Sequence, residues 1–236
     1  VNNHMDHNEF LGLIVLLSRD VRVAGNDVSG NGGPGILLFD SNDITVERNS
    51  LSDNGDGIVL ADGSDRNVVK DNSASGSGAG VVIVDSNGNL VQKNSLRDNV
   101  FVGIVVMGSD DNRLDRNTIT GNGRDHQAEG GVHVVSNDQG DASDRNLILG
   151  NELSRNAPDG LLVDAGQAGT HIERNLANQN ADDGIDVDSA ATTLTKNTAN
   201  RNDDLGIEAV PGVIDGGGNK AHGNGNPLQC TNVFCK

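Results

Sequence analysis

The sequence has no tryptophan and no tyrosine, and only 4 phenylalanines, 4 prolines and 2 cysteines. Without Trp and Tyr it lacks the rings on which sugars stack and a frequent catalytic phenol. Basic residues are scarce too: 17 Lys and Arg stand against 34 Asp and Glu, a formal net charge of -17 over 236 residues. Nucleic acid and anionic membranes both require a basic surface, so neither is expected as a partner. No apolar run is long enough to span a bilayer, and no segment has the layout of a signal peptide. Two thiols are too few for a zinc site. Cys230 and Cys235 sit together at the chain end and read as a terminal disulfide, which implies a secreted or extracytoplasmic setting; two free thiols in a cytosolic cap are the alternative.

What is abundant is glycine, 32 residues, and asparagine, both on a fixed period. Residues 80–99, GVVIVDSNGNLVQKNSLRDN, contain the repeating unit. Its opening glycine recurs as Gly12, Gly35, Gly57, Gly80, Gly103, Gly131, Gly160, Gly184 and Gly206. A first asparagine recurs from Asn3 through Asn94 to Asn219, and a second follows five residues later from Asn8 to Asn224, broken only at Ser77. Four columns are almost always aliphatic, among them Ile36, Val81 and Ile104 one residue after the glycine, and Val46, Val91 and Leu114 three before the first asparagine. Spacing by two within each segment is strand periodicity, and three short strands per repeat close one coil of a prism. The expectation is an all-β parallel solenoid of about nine coils of 22–24 residues, its asparagines laddered in left-handed turn positions. Residues 1–11 read as a partial coil, 12–226 as the solenoid and 227–236 as the cap that shields its last strand edges. Because Asn3 and Asn8 already occupy repeat positions, the chain reads as a mature or trimmed form with coils upstream.

Residues two and four after each glycine point away from the core. In the early coils they form an apolar stripe that includes Leu37, Phe39, Val82, Val105 and Met107, an expected surface for substrate, a protein partner or a second copy of the chain. In the late coils the same columns carry Asp164, Asp186, Asp188 and Glu208. Carboxylates crowded over two coils call for a cation, raised pKa values or solvent, and calcium is the metal this oxygen-only set suits. Asp40, Asp62 and Asp85 stack as well, and read as turn caps with the neighbouring Ser41, Ser64 and Ser86. The period stretches only around Gly131, where insertions at 123–130 and 137–144 flank His133 and bring Arg124 and His126 within its reach as candidate catalytic groups.

The combined glycine, aliphatic and asparagine register resembles the right-handed parallel β-helix repeat proteins, the group of pectate lyases, polygalacturonases and alginate epimerases, over roughly residues 3–226. The resemblance implies a right-handed coil and a substrate face on the first strand of each repeat. In the related lyases and epimerases it implies a cation neutralising a uronate and a base removing the C5 proton. ADDGID (181–186), NDDLGI (202–207) and AHG (221–223) faintly resemble polygalacturonase motifs, but the epimerases' Asp-Pro-His-Asp and the polygalacturonases' Arg-Ile-Lys are missing. The leading reading is a secreted, largely non-catalytic β-helix for structural or surface interaction, with polysaccharide as its candidate ligand. A calcium-dependent polysaccharide lyase or uronate C5-epimerase is the alternative, and a polygalacturonase-like hydrolase ranks third.

Overall fold

In a computed structural model, which describes residues 1–124 and 130–236, short strands run coil after coil into three parallel sheets of nine, nine and ten strands. The first sheet gathers the strands that follow the repeat glycines, from Leu13–Leu16 to Ile207–Ala209. The second runs from Arg22–Ala24 to Ile214–Gly217, and the third from His4–Asp6 to Lys220–His222. No helix occurs among the described residues. Each strand pairs in parallel with its copy one coil away, in the register the repeat implies except for a shift between Leu194 and Thr195 at the end of the second sheet: Val81 lies against Ile58 and Ile104, Val91 against Val69 and Leu114. The chain is thus the parallel solenoid of about nine turns that its period predicts, with the right-handed coil that the resemblance implies.

The aliphatic columns fill the prism. Ile36, Ile58, Val81, Ile104, Val91 and Leu114 are fully buried, and one continuous core runs from Val15 to Val213. The polar columns are buried with them, at turns where unpaired backbone groups would otherwise lie inside. Asn94 shows how each is satisfied. Its amide donates to the carbonyl of Val69 (2.9 Å) and to Oδ1 of Asn117 (3.0 Å), while its own Oδ1 accepts the backbone N–H and side-chain amide of Asn72 (2.9 and 3.0 Å). The second asparagine column repeats the pattern from Asn8 to Asn224, and Gln229 closes its end. At Ser77 the column holds by thinner bonds, from Asn54 N–H to the hydroxyl at 3.3 Å and from Ser77 N–H to Asn99 Oδ1 at 3.2 Å.

The structure corrects one expectation. The left-handed residue is the one before each ladder asparagine: Arg48, Asp71, Lys93, Arg116, Arg174 and Lys196 all have φ between 53° and 55°. The asparagines keep ordinary backbone and are selected for their amides. A third ladder, of hydroxyls, links Ser18, Ser41, Ser64, Ser86, Ser109 and Ser143 across the turn after the first sheet. Asp40, Asp62 and Asp85 occupy its left-handed positions, with φ of 43°, 49° and 49°. Glu47, 5 % exposed, is held by Arg22, Arg48 and Lys70, and this pairing pulls its pKa down to about 2.

The second insertion folds against the stack through Asn137, whose amide donates to Asp85 (2.7 Å) and Asp141 (3.0 Å). At the C-terminus Cys230 and Cys235 are disulfide-bonded, and the same two residues bridge to Ile207 and Asn219, covering the last coil.

Replacing Asn94 by Ala strands two N–H groups of Asn72 and removes the amide donor from Val69 O and from Asn117 Oδ1, which keeps the backbone N–H of residue 94. At about 1–3 kcal/mol per unpaired buried group, the expected loss is at least about 3 kcal/mol in denaturant unfolding. Lys93→Gly, at the left-handed position itself, should change stability by no more than about 1 kcal/mol.

Candidate functional site

The outward side chains of the first sheet form two columns. One runs Ile14, Leu37, Val59, Val82, Val105, His133, Leu162, Asp186, Glu208 by direct strand pairing. The other carries Leu16, Phe39 and Ala61, then Val84, Met107 and Val135. The apolar stripe therefore lies where the repeat places it, but it is less open than its composition implies. Three strands, Ala79–Val84, Val102–Met107 and Gly130–Val135, begin before the repeat glycine. This lengthening brings Ala79 and Val102 against Val105, with Val82, Met107 and Val135 packed around them in a second small cluster. Val105 is only 4 % exposed, Leu37 and Phe39 are half-buried, and the open part of the stripe is at Ile14 and Leu16.

In the last coils the face turns acidic, and two residues that the repeat had disguised belong to the cluster. Asp159 and Asp183 stand directly before Gly160 and Gly184. The carboxylate of Asp159 accepts the N–H of Asp183 (2.8 Å), and that of Asp183 accepts the N–H of Leu205 (2.6 Å). Asp56 does the same for Ala79 at 2.9 Å, so the Asp-Gly pair is a structural element of the repeat. In the late coils these tucked carboxylates meet the outward ones. Oxygens of Asp183, Asp186 and Glu208 lie within 4.8 Å of one another, and so do those of Asp182, Asp183 and Asp204.

Such crowding penalises ionisation. Burial first, then the neighbouring Asp188, Asp159 and Glu208, pushes Asp186 up to about 7. Burial, with smaller contributions from Asp182 and Glu208, raises Asp159 to about 6. Asp183 is raised for the same first reason, reinforced by its hydrogen bond to Glu208. One oxygen of Asp186 is buried without a hydrogen-bond partner. Among the described residues no lysine or arginine pairs with this cluster, which makes it a place for protons or a cation.

Of the residues the sequence singled out as metal ligands, Asp186 and Glu208 are brought together. Asp164 turns instead to His133, whose Nε2 lies 3.0 Å from its Oδ1, and Asp188 acts on Asp186 through its charge. His133 itself is 7 % exposed, set between Val105 and Leu162. Arg124 points away, pairing with Asp98 at 2.8 Å. His126 lies outside the described residues. Of the three faint polygalacturonase-like motifs, the two acidic ones meet through Asp182, Asp183 and Asp204, but AHG stands apart, because His222 belongs to the third sheet.

The model of the right-handed β-helix region matches residues 1–95 and 74–226, together almost the whole chain. The chain belongs to the right-handed β-helix family. No curated protein matches it by sequence. Among solved structures it is similar to a double mutant of the periplasmic alginate epimerase AlgG, with TM-score 0.69 and 15 % identity over 94 % of this chain and 59 % of that one. It is also similar to the alginate lyase from Paenibacillus sp. str. FPU-7, with TM-score 0.61 and 17 % identity over 93 % of this chain and 98 % of the lyase. The A-module of the Azotobacter vinelandii mannuronan C-5 epimerase AlgE4 matches with TM-score 0.60 and 14 % identity, over 93 % and 76 % of the two chains. At these identities the likeness is one of fold.

The raised carboxylates set a pH dependence. A group whose folded pKa exceeds its unfolded value stabilises the fold fully below the unfolded pKa, near 3.8 for Asp186, and that stability is lost as pH rises through the folded value, about 7. Glu47 works in the opposite sense, but its window lies between 4.5 and about 2. Stability of the cation-free protein should therefore fall between about pH 4 and pH 7, with Asp186 accounting for on the order of 1–2 kcal/mol after solvent screening. Thermal melts across this range should show a shallower fall in Asp186→Asn, and equal slopes in the two proteins would contradict the assignment.

Proposed function

We propose that this β-helix is a glycan-facing interaction module of an extracytoplasmic protein, largely without catalytic activity, whose acidic patch holds a divalent cation and through it an acidic polysaccharide. The observation that carries this reading is the convergence of Asp183, Asp186 and Glu208 on one outward face, with a buried oxygen of Asp186 left unpartnered. Calcium takes six to eight oxygen ligands, so three protein carboxylates leave positions for water and for a uronate of the glycan. The similar epimerases and lyase are described as acting on alginate or mannuronan, which makes an acidic glycan the class to test first. The Cys230–Cys235 bond supports an oxidising compartment. The apolar stripe, open at Ile14 and Leu16 and half-buried at Leu37, Phe39, Val82 and Met107 around the buried Val105, is the matching surface for a protein partner or a second copy.

A second reading, a polysaccharide lyase or C5-epimerase, draws on the His133–Asp164 pair two coils from the acidic patch. It is weakened by the burial of His133 and by the turning of Arg124 to Asp98, which leaves no described arginine beside the patch to meet a substrate carboxylate.

Calorimetry with calcium separates these readings. Binding should release protons, because carboxylates that are partly protonated at neutral pH must ionise to ligate. It should also raise the melting temperature, and Asp186→Asn or Glu208→Gln should weaken it at least about tenfold. Alginate or pectate should be retained only when calcium is present. Absence of a calcium effect on both heat and melting would remove the cation site. Product formation from alginate that disappears in His133→Ala would replace the binding reading with the enzymatic one.

A further inference from the structure

A cleft of about 280 Å³ lies on the outer side of the third sheet, a different side of the prism from the acidic patch, lined by Asn178, Gln179, Asn200, Arg201 and His222. Strand pairing stacks Asn178, Asn200 and His222 on successive coils, while Gln179 and Arg201 occupy the left-handed turn positions beside them, with φ of 60° and 58°. No carboxylate lines this cleft, although the chain carries 34 of them among its side chains. Arginines such as Arg22, Arg66, Arg145 and Arg174 sit against acidic partners, whereas Arg19, Arg97 and Arg155 have none among the described residues. Arg201 has no such partner among the described residues.

The amides are arranged to the same effect. Oδ1 of Asn178 accepts the backbone N–H of Asn200 at 2.9 Å, which fixes the side chain and leaves its amide N–H groups unused. The side chains of Gln179 and Asn200 make no hydrogen bond within the described protein. Guanidinium and amide donors around one hollow, with the acidic groups excluded, are the arrangement that binds an oxyanion, since hydrogen bonds to a charged acceptor are about twice as strong as neutral ones. The volume falls just below the range of about 300–1,000 Å³ usual for small-molecule clefts, so it suits one sugar-sized group.

We propose that this cleft is an anion site for the carboxylate of a uronic acid unit, independent of any metal. It shares with the proposed function only the class of glycan; its chemistry is opposite to that of the acidic patch. One chain would then contact an acidic polysaccharide on two sides, through a cation on the first sheet and through donors on the third.

The test is a titration of the isotopically labelled chain with trigalacturonate in excess chelator, read by NMR at the side-chain amides of Asn178 and Asn200 and at His222. Chelation silences the cation patch, so a failure there leaves this result unaffected. Trigalacturonate should shift these signals and neutral maltotriose should not; inorganic phosphate, which shares the anion chemistry but not the sugar, should shift them more weakly. Arg201→Gly should weaken trigalacturonate at least about tenfold. Glycine suits that backbone, as Gly223 shows one coil later with φ of 69°. Asp186→Asn should leave this affinity within about twofold. No shift with trigalacturonate, an equal shift with maltotriose, a response to phosphate alone or an unchanged affinity in Arg201→Gly would each overturn the assignment.

Discussion

Every feature of this molecule depends on a single constraint: a buried amide must find donors and acceptors, and here it finds them on its own copy one coil away. An asparagine that accepts from the coil before and donates to the coil after is satisfied only if the two neighbouring coils sit in register. The ladders therefore fix the axial alignment that hydrophobic packing alone leaves open, since Val, Ile and Leu columns tolerate small slips. Ser77, with its longer contacts, marks the place where the constraint is weakest along the second column.

The same stacking explains why the candidate sites collect where they do. Residues 22–24 apart in sequence become neighbours about 4.8 Å apart, so any drift in composition along one outward column becomes a surface patch. On the first sheet the drift runs from Leu37 and Phe39, through His133, to Asp186 and Glu208. On the third it produces a donor-lined hollow around Arg201. Inward positions are held to aliphatic residues and amides, whereas outward ones are free to change character from coil to coil. Fold and function are therefore carried by alternate residues of the same strands.

Much of this was legible in the residues themselves. The columns of Val91 and Ile104 mark them as interior, and both are fully buried; the period lays Asp186 over Glu208, and the two strands pair there. What escaped was set by things a period does not encode. Asp159 and Asp183 looked like turn residues of the repeat, and they are, but their side chains also tuck inward to bond the next coil and meet the outward acids there. Asp164 was assigned to the acids because its column runs that way, yet a rotamer takes it to His133. The left-handed turn residue was placed on the asparagine, although arginines and lysines one position earlier carry it. The cleft around Arg201 went unread because asparagine and glutamine on an outer strand carry no motif; only the absence of acids around them is informative.

The account stands on the ladders being closed at both ends of each amide, and hydrogen exchange of side-chain NH2 groups tests this directly. The amide protons of Asn72, Asn94 and Asn117, buried and bonded to their neighbours, should exchange orders of magnitude more slowly than those of Asn87, which is exposed in the turn after the first sheet. Exchange of the ladder amides as fast as that of Asn87 would mean that adjacent coils are not locked in register, and would contradict the account.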